Sequence, residues 1–273
     1  MNDTVFSEVL PAKELRPYVH SYWYGNFNMS AEAEFAQSVL PNGCMELIVH
    51  LTEDHCFLSK ENERWTRTPE FILLGLYNQP YTVRFKNIVK VFGMRFYPDG
   101  IRNIFGVHPV EFLSTYEDGA LALGDQLRDF CSRLRATEDT DIQISYANAF
   151  IARQLQANYL SFDFTHLTMK LIRSVDGIVD YGKLLHQIPI SSRQLQRVFK
   201  GTYGITVMDY IRLLRMNSIY RYMMSKNVNL SQLSYELNFT DQSHFIKEFK
   251  TFVGVAPTKF LRTRGQFIVN PKL

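Results

Sequence analysis

The sequence predicts an α+β chain. A small β-barrel or sandwich with flanking helices comes first, then an all-α domain of two helix-turn-helix units joined by a long helix. Three observations carry that prediction: a period-two apolar pattern in the first hundred residues, a helical period after it, and an internal duplication near the C-terminus. With 273 residues, 46% of them hydrophobic and 21% charged, the chain has material for two domains of ordinary globular composition.

The strand signals are local. Tyr81, Val83 and Phe85 alternate with Thr82, Arg84 and Lys86, and Ile88, Phe92, Met94 and Phe96 share one parity up to Pro98. Val19 to Phe27, Cys44 to Leu51 and Phe71 to Leu76 are further candidates, separated by breakers such as Leu40-Pro41-Asn42-Gly43 and Asn78-Gln79-Pro80. Several short strands of this kind make a barrel or a sandwich. After Gly100 the spacing changes: Leu123, Leu127, Phe130 and Leu134, then Ile142, Tyr146 and Phe150, predict two helices that cover the β layer or pair with a second copy. From Asp163 the pattern is helical throughout, starting with the stripe Phe164, Leu167, Leu171 and Val175. The predicted division is therefore residues 1–118, β-rich; 119–162, a helical spacer with possible dimerisation helices; and 163–273, with the two helix-turn-helix units.

Charge separates the same parts. Residues 1–162 hold 14 Lys and Arg against 20 Asp and Glu, and residues 163–273 hold 16 against 7, so a net +3 divides into −6 and +9. A basic module on an acidic partner suggests a polyanion ligand. The acidic start carries no signal-like apolar stretch, and no apolar run approaches the roughly 20 residues of a membrane helix. Cys44, Cys56 and Cys131 are odd in number and scattered, which fits a reducing cytoplasm.

The duplication appears when the C-terminal part is slid on itself by fifty residues. Leu195 meets Phe245, Arg197 meets Lys247, Phe199-Lys200 meets Phe249-Lys250, Gly204 meets Gly254, and Tyr210 meets Phe260. Each copy reads as a short helix, a tight turn and a longer helix. In the first, Tyr181 to Gln187 supports, Pro189 breaks, and Ser191 with Gln194 makes a capping box. In the second, Leu230 to Asn238 supports and Thr240 caps. Leu195, Val198 and Phe199 form the inner face of the first long helix, with Arg193, Gln194, Gln196, Arg197 and Lys200 outside. Phe245, Phe249 and Phe252 face inward on the second, with Gln242, Ser243, His244, Lys247 and Lys250 outside. These are the side chains that read and hold double-stranded DNA: Arg forks onto guanine, Gln pairs with adenine, and Lys neutralises phosphate. Between the copies, Val207, Ile211, Leu214, Ser218 and Tyr222 mark a helix from Thr206 to Ser225, which at 1.5 Å per residue spans about 30 Å. Successive major grooves on one side of B-DNA lie about 34 Å apart, so one chain could engage two of them.

Residues 164 to 265 resemble the AraC family of bacterial regulators. The likeness rests on Leu237-Asn238-Phe239-Thr240-Asp241-Gln242-Ser243-His244-Phe245 with Phe249-Lys250, Gly254, Pro257 and Arg262, and on Leu195-Gln196-Arg197-Val198-Phe199 with Gly204. Ser234, Asn238 and Lys247 depart from the family's usual Ala, Gly and Arg. The pieces Leu40-Pro41-Asn42-Gly43, Gly93-Met94-Arg95-Phe96-Tyr97-Pro98 and Ile104-Phe105-Gly106-Val107-His108-Pro109 look like the sensor half of some members. The resemblance implies a DNA-binding transcription regulator, most often an activator, with a small-molecule effector or self-association acting through the first half. RNA polymerase and a second copy of the chain are the further partners it implies. No cofactor, metal or catalytic residue is expected. His20, His50 and His55 with Cys44, Cys56 and Glu46 lack metal-ligand spacing, and the aromatic run Tyr22, Trp23, Tyr24 and Phe27 reads first as core, with at most half of it on a pocket. Two alternatives stand beside this reading: a DNA-repair methyl acceptor, for which the three scattered cysteines are a poor fit, and an architectural DNA binder with a protein-binding first half.

Overall fold

A computed structural model describes residues 3–28, 35–59, 64–158, 163–225, 239 and 241–268. Its first part is a sandwich of two sheets. The larger contains β1 (Asp3–Val9), β2 (Val19–Asn28), β9 (Ile88–Phe96), β4 (Met45–His50), β7 (Phe71–Leu74) and β10 (Tyr116–Asp118), in that spatial order. The smaller contains β3 (Phe35–Val39), β8 (Tyr81–Phe85), β5 (Phe57–Ser59) and β6 (Thr66–Arg67), with β11 (Phe267–Ile268) on the outer side of β3. The period-two segments of the sequence are thus β2, β4, β7, β8 and β9, and the strands they did not signal are the short or edge ones.

Alternation along the central strands sends side chains to two different cores. Tyr22, Leu47, Val49, Phe71, Leu73, Phe92, Met94 and Phe96 pack against helices, whereas Trp23, Ile72, Leu74, Val89 and Val91 face the second sheet. The helical layer is α1 (Pro98–Phe105), α2 (Gly119–Leu123), α3 (Gln126–Arg135) and α4 (Thr140–Asn158). Apolar spacing marked only α3 and α4; α1 and α2 are too short to show a period.

The C-terminal part comprises α5 (Phe164–Arg173), α6 (Tyr181–Leu185), α7 (Ser192–Tyr203), α8 (Val207–Ser225), α9 (Gln242–Val253) and α10 (Pro257–Arg262). The expected support helix of the second unit, Leu230 to Asn238, lies outside the described residues. Several expectations need correction. The segment is not helical throughout, because its end turns into β11 and pairs in parallel with β3 (Phe267 opposite Ser38, Ile268 opposite Val39). A two-residue strand has no period of its own, and only the open edge of β3 creates it.

The Phe164 stripe is rotated from the predicted face. Phe164 and Val175 are exposed, while Thr165, His166, Thr168, Met169 and Ile172 are buried. Polar residues can point inward here because other elements supply their partners: the Thr165 hydroxyl lies 3.0 Å from Tyr203 Oη, and His166 Nδ1 lies 2.5 Å from Asp99 Oδ2. Likewise α8 buries Tyr210, Leu213, Met216, Ile219, Tyr220 and Met223 on several sides, and Tyr222 is exposed. A helix wrapped on most of its circumference loses the single stripe that spacing can find.

The two parts are closely joined. Asp99 on α1 receives both guanidinium nitrogens of Arg173 from α5, at 2.5 and 3.3 Å. Asn217 Nδ2 on α8 donates to Asn42 O at 3.3 Å, beside Gly43, whose φ of +79 places Leu214 where a Cβ would stand. Gly177, at φ +74, lets the end of α5 reach within 2.5 Å of the α8 backbone at Ile211 and Arg215, measured from the position a Cβ would occupy.

Candidate nucleic-acid interface

The first long helix of the duplication is α7. Ser191 is its cap, extended at φ −66 and ψ 150, and its hydroxyl accepts from Gln194 N at 3.2 Å. Gly204, at φ +78, ends the helix by donating its N–H to Lys200 O. Leu195, Phe199 and Tyr203 step by four into the core, leaving Arg193, Gln194, Arg197 and Lys200 in solvent. Val198, expected inside, is 38% exposed because it lies a full residue off that stripe. Arg193, Arg197 and Lys200 follow at i, i+4 and i+7 and so share one face. Gln196 is half-buried and turned inward, its Nε2 donating to Tyr181 Oη at 2.7 Å, which ties α7 to α6.

The second copy repeats the plan. Asp241, not Thr240, caps α9: its carboxylate accepts from His244 N at 2.8 Å, while Thr240 itself lies outside the described residues. Asp241 stands fifty residues after Ser191, so the repeat runs through the cap without a shift. A carboxylate also suits the positive end of the helix dipole. Phe245, Phe249 and Val253 are buried, and Gly254, at φ +80, closes the helix as Gly204 closes α7. Gln242, Ser243, His244, Lys247 and Lys250 are all exposed. Among them sits Glu248, which the sequence reading passed over. It takes Arg215 of α8 at 2.9 and 3.1 Å and lies 3.4 Å from His244 Nε2. His244 and Lys247, with Thr251, line a groove of about 420 Å³ shared with Asp209 and Arg212 of α8 and with Asn78 and Gln79 from the β part.

Connecting the two, α8 has 19 residues, or about 28 Å of axis. Thr206 precedes it, with Oγ1 accepting from Asp209 N at 3.1 Å.

A second feature lies between the sheets: a cavity of about 240 Å³. Trp23 and Phe27 line it as buried members of the core between the sheets, while Tyr22 and Tyr24 pack against Phe92 on the other face of β2, so half of the aromatic run reaches the cavity. Gln37, Glu46, Tyr81 and Arg95 bring polar groups to a wall built mostly from groups such as Ile48, Leu74 and Val83. Arg95 Nε donates to Glu46 Oε1 at 3.0 Å, and Nη1 contacts Glu8. Burial disfavours the Arg95 charge, but Glu46 and Glu8 outweigh it and raise its pKa. Met224, Phe267 and Ile268 complete the wall from the C-terminal part.

The three cysteines are free and buried. Burial pushes the Cys44 thiol up to about 12 and Cys56 up to about 11, and raises Cys131 as well. His50 touches Cys56 and stacks on His55 at 4.5 Å. Among the described residues, no three of His, Cys, Asp and Glu come together as metal ligands would.

Two equivalently capped helices with basic outer faces, joined by one long helix and seated on a β-sandwich, define a class: the DNA-binding proteins built on paired helix-turn-helix units. Residues 184–263 match a family described as a helix-turn-helix domain, and residues 7–118 a family described as a domain of unknown function. The HTH-type transcriptional activator AarP of Providencia stuartii is 29% identical over 66 residues, 24% of this chain and 49% of that protein. RhaS of Mannheimia succiniciproducens, also an HTH-type transcriptional activator, is 28% identical over 79 residues, 29% of this chain and 30% of that protein. The match thus spans half or less of these curated relatives. A crystal structure of ToxT from Vibrio cholerae aligns at 14% identity and a TM-score of 0.49, covering 88% of this chain and 97% of that one. Residues 184–263 of the chain are thus similar to a helix-turn-helix domain.

Proposed function

We propose that the chain is a sequence-specific transcription regulator that binds promoter DNA through α7 and α9. The observation that carries this is the repeated frame of cap, buried apolar stripe and basic outer face, fifty residues apart. Arg193, Gln194, Arg197 and Lys200 are the contacts from α7, with Gln196 holding the helix on its support. Gln242, Ser243, His244, Lys247 and Lys250 are the contacts from α9. Footprinting on genomic fragments crosslinked to the protein tests this. Protection over about two helical turns, some 20 base pairs, is expected, and protection of a single turn would refute simultaneous use of both helices.

The first part, residues 1–118, acts as the effector domain, residues 119–162 as a spacer and residues 163–273 as the DNA-binding domain. An apolar cavity whose wall is completed by Met224, Phe267 and Ile268 supports control by a small molecule, since its occupant would touch both parts. The two relatives' names favour activation, which makes RNA polymerase a partner. Self-association would use α4, where Ile142 and Tyr146 are exposed one turn apart. No described helix is long and apolar enough to cross a membrane, and we assign the protein to the cytoplasm. A methyl acceptor would need a thiolate near neutral pH, and buried thiols with raised pKa values do not provide one.

A further inference from the structure

Resting on the cavity as an effector site, we infer that its ligand is an apolar body with a hydrogen-bond-donating head, an ammonium or a hydroxyl group, and that carboxylates are rejected. The polar end of the cavity decides this. Among the described residues of the cavity wall Arg95 is the one cation, and it faces two carboxylates, Glu46 and Glu8, so the cluster carries an excess negative charge. Glu46 is satisfied: Oε1 accepts from Arg95 at 3.0 Å and from Asn42 Nδ2 at 2.7 Å, and Oε2 accepts from Trp23 Nε1 at 3.0 Å. Glu8 is not. It contacts Arg95 from outside the residues that line the cavity: it lies opposite Trp23 in the β1–β2 ladder, its side chain is 2% exposed, its Oε1 accepts from Ser21 Oγ, and its Oε2 has no hydrogen-bond partner. On the facing sheet, Gln37 Nε2 donates to Gly265 O at 3.2 Å, but its Oε1 is buried and also unpartnered.

The unmet group on the cavity wall, Gln37 Oε1, is an acceptor, and Glu8 adds negative charge next to Arg95. A buried acceptor without a donor is costly, so a donor head gains here what a carbonyl or carboxylate cannot. A carboxylate would add a third negative group around one guanidinium, while a cation would restore balance and lie beside the faces of Trp23 and Phe6, which Arg95 already approaches at 5.3 and 5.6 Å.

Calorimetric titration of the full chain at pH 7 with 4-phenylbutylamine, 4-phenylbutan-1-ol and 4-phenylbutyrate tests the inference with one apolar body and three heads. The amine is expected to bind at least about tenfold more tightly than the acid, a difference of about 1.4 kcal/mol, with the alcohol between. Glu8→Gln should cut the amine's advantage severalfold. In the unaltered protein, the amine should move the labelled methyl signals of Ile48, Ile72 and Ile268, which line the cavity. If the acid binds as well as the amine and moves the same signals, the cavity remains an effector site and the charge argument is overturned. If no probe binds, or the shifts fall elsewhere, the effector reading of the cavity fails and the inference fails with it.

Discussion

Replacing Asp99 with Ala tests whether the two parts of the chain are held by charge as well as by apolar packing. Asp99 sits in the first turn of α1 and is 1% exposed; its two oxygens take Arg173 at 2.5 and 3.3 Å, and His166 Nδ1 lies 2.5 Å away. The Arg173 side chain is only 13% exposed, with its guanidinium 4.0 Å from the Tyr97 ring centre. Removing the carboxylate therefore strands a buried cation, a change that costs about 3–5 kcal/mol. Arg173→Met strands the anion instead, and the double variant removes both charges. Urea unfolding at pH 7 should show each single variant destabilised by that amount, and the double variant by at least about 2 kcal/mol less than the two combined. The pH dependence has a definite sign. Burial alone would raise the Asp99 pKa, but Arg173 and the hydrogen bonds it receives depress it. Its contribution is complete above the unfolded carboxyl value of about 3.9 and fades as pH falls through the lower folded value. The gap between the unaltered chain and Asp99→Ala should thus be wide at pH 6 and narrower at pH 3. A cost below about 1 kcal/mol, or strict additivity in the cycle, would refute the reasoning.

Three other outcomes follow from the same structure. His50 is fully buried and depressed to about 3, chiefly by burial; its Nδ1 faces Glu70 O at 3.1 Å and its Nε2 accepts from Cys56 N at 3.3 Å, an arrangement that needs the neutral ring. Because the folded pKa is the lower one, stability declines as pH falls below about 6.5, by about 2 kcal/mol at pH 5, and His50→Gln should flatten that slope in chemical unfolding. Ser191→Ala removes the α7 cap and should cost about 1 kcal/mol in unfolding, with Ser191→Gly costing only a few tenths. Arg197→Ala should weaken binding to the preferred DNA sequence by about 1–3 kcal/mol and relax one base position, whereas Lys250→Ala should weaken all sequences alike and lower the salt slope by about one, both read by fluorescence anisotropy.

Which features were legible depends on where their causes lie in the chain. The capped helices α7 and α9 were readable because a cap, a stripe at i and i+4 and a closing glycine are local, and the chain states them twice. Even there the register needed coordinates: Asp241 rather than Thr240 caps α9, since two adjacent capping residues look equivalent until the backbone chooses one. Gln196 shared the polar face of its helix with Arg193 and Arg197, yet a partner fifteen residues away, Tyr181, turned it inward. The long strands were legible from period two, and the cavity between them was not, because alternation tells which residues share a face and not whether the facing sheet fills the space.

By itself the sequence determined the order of the parts, β first and helices after, the duplicated frame of the second part, and the concentration of positive charge there. Those are properties of period and composition, set within a few turns or strands of chain. Only the tertiary structure decided how the parts are joined: Asp99 with Arg173, Asn42 with Asn217, and β11 completing the edge of β3 beside an apolar cavity. Each joins residues more than seventy positions apart, and such a pairing leaves no period in the sequence because its stability comes from mutual burial, which exists only after both surfaces have formed.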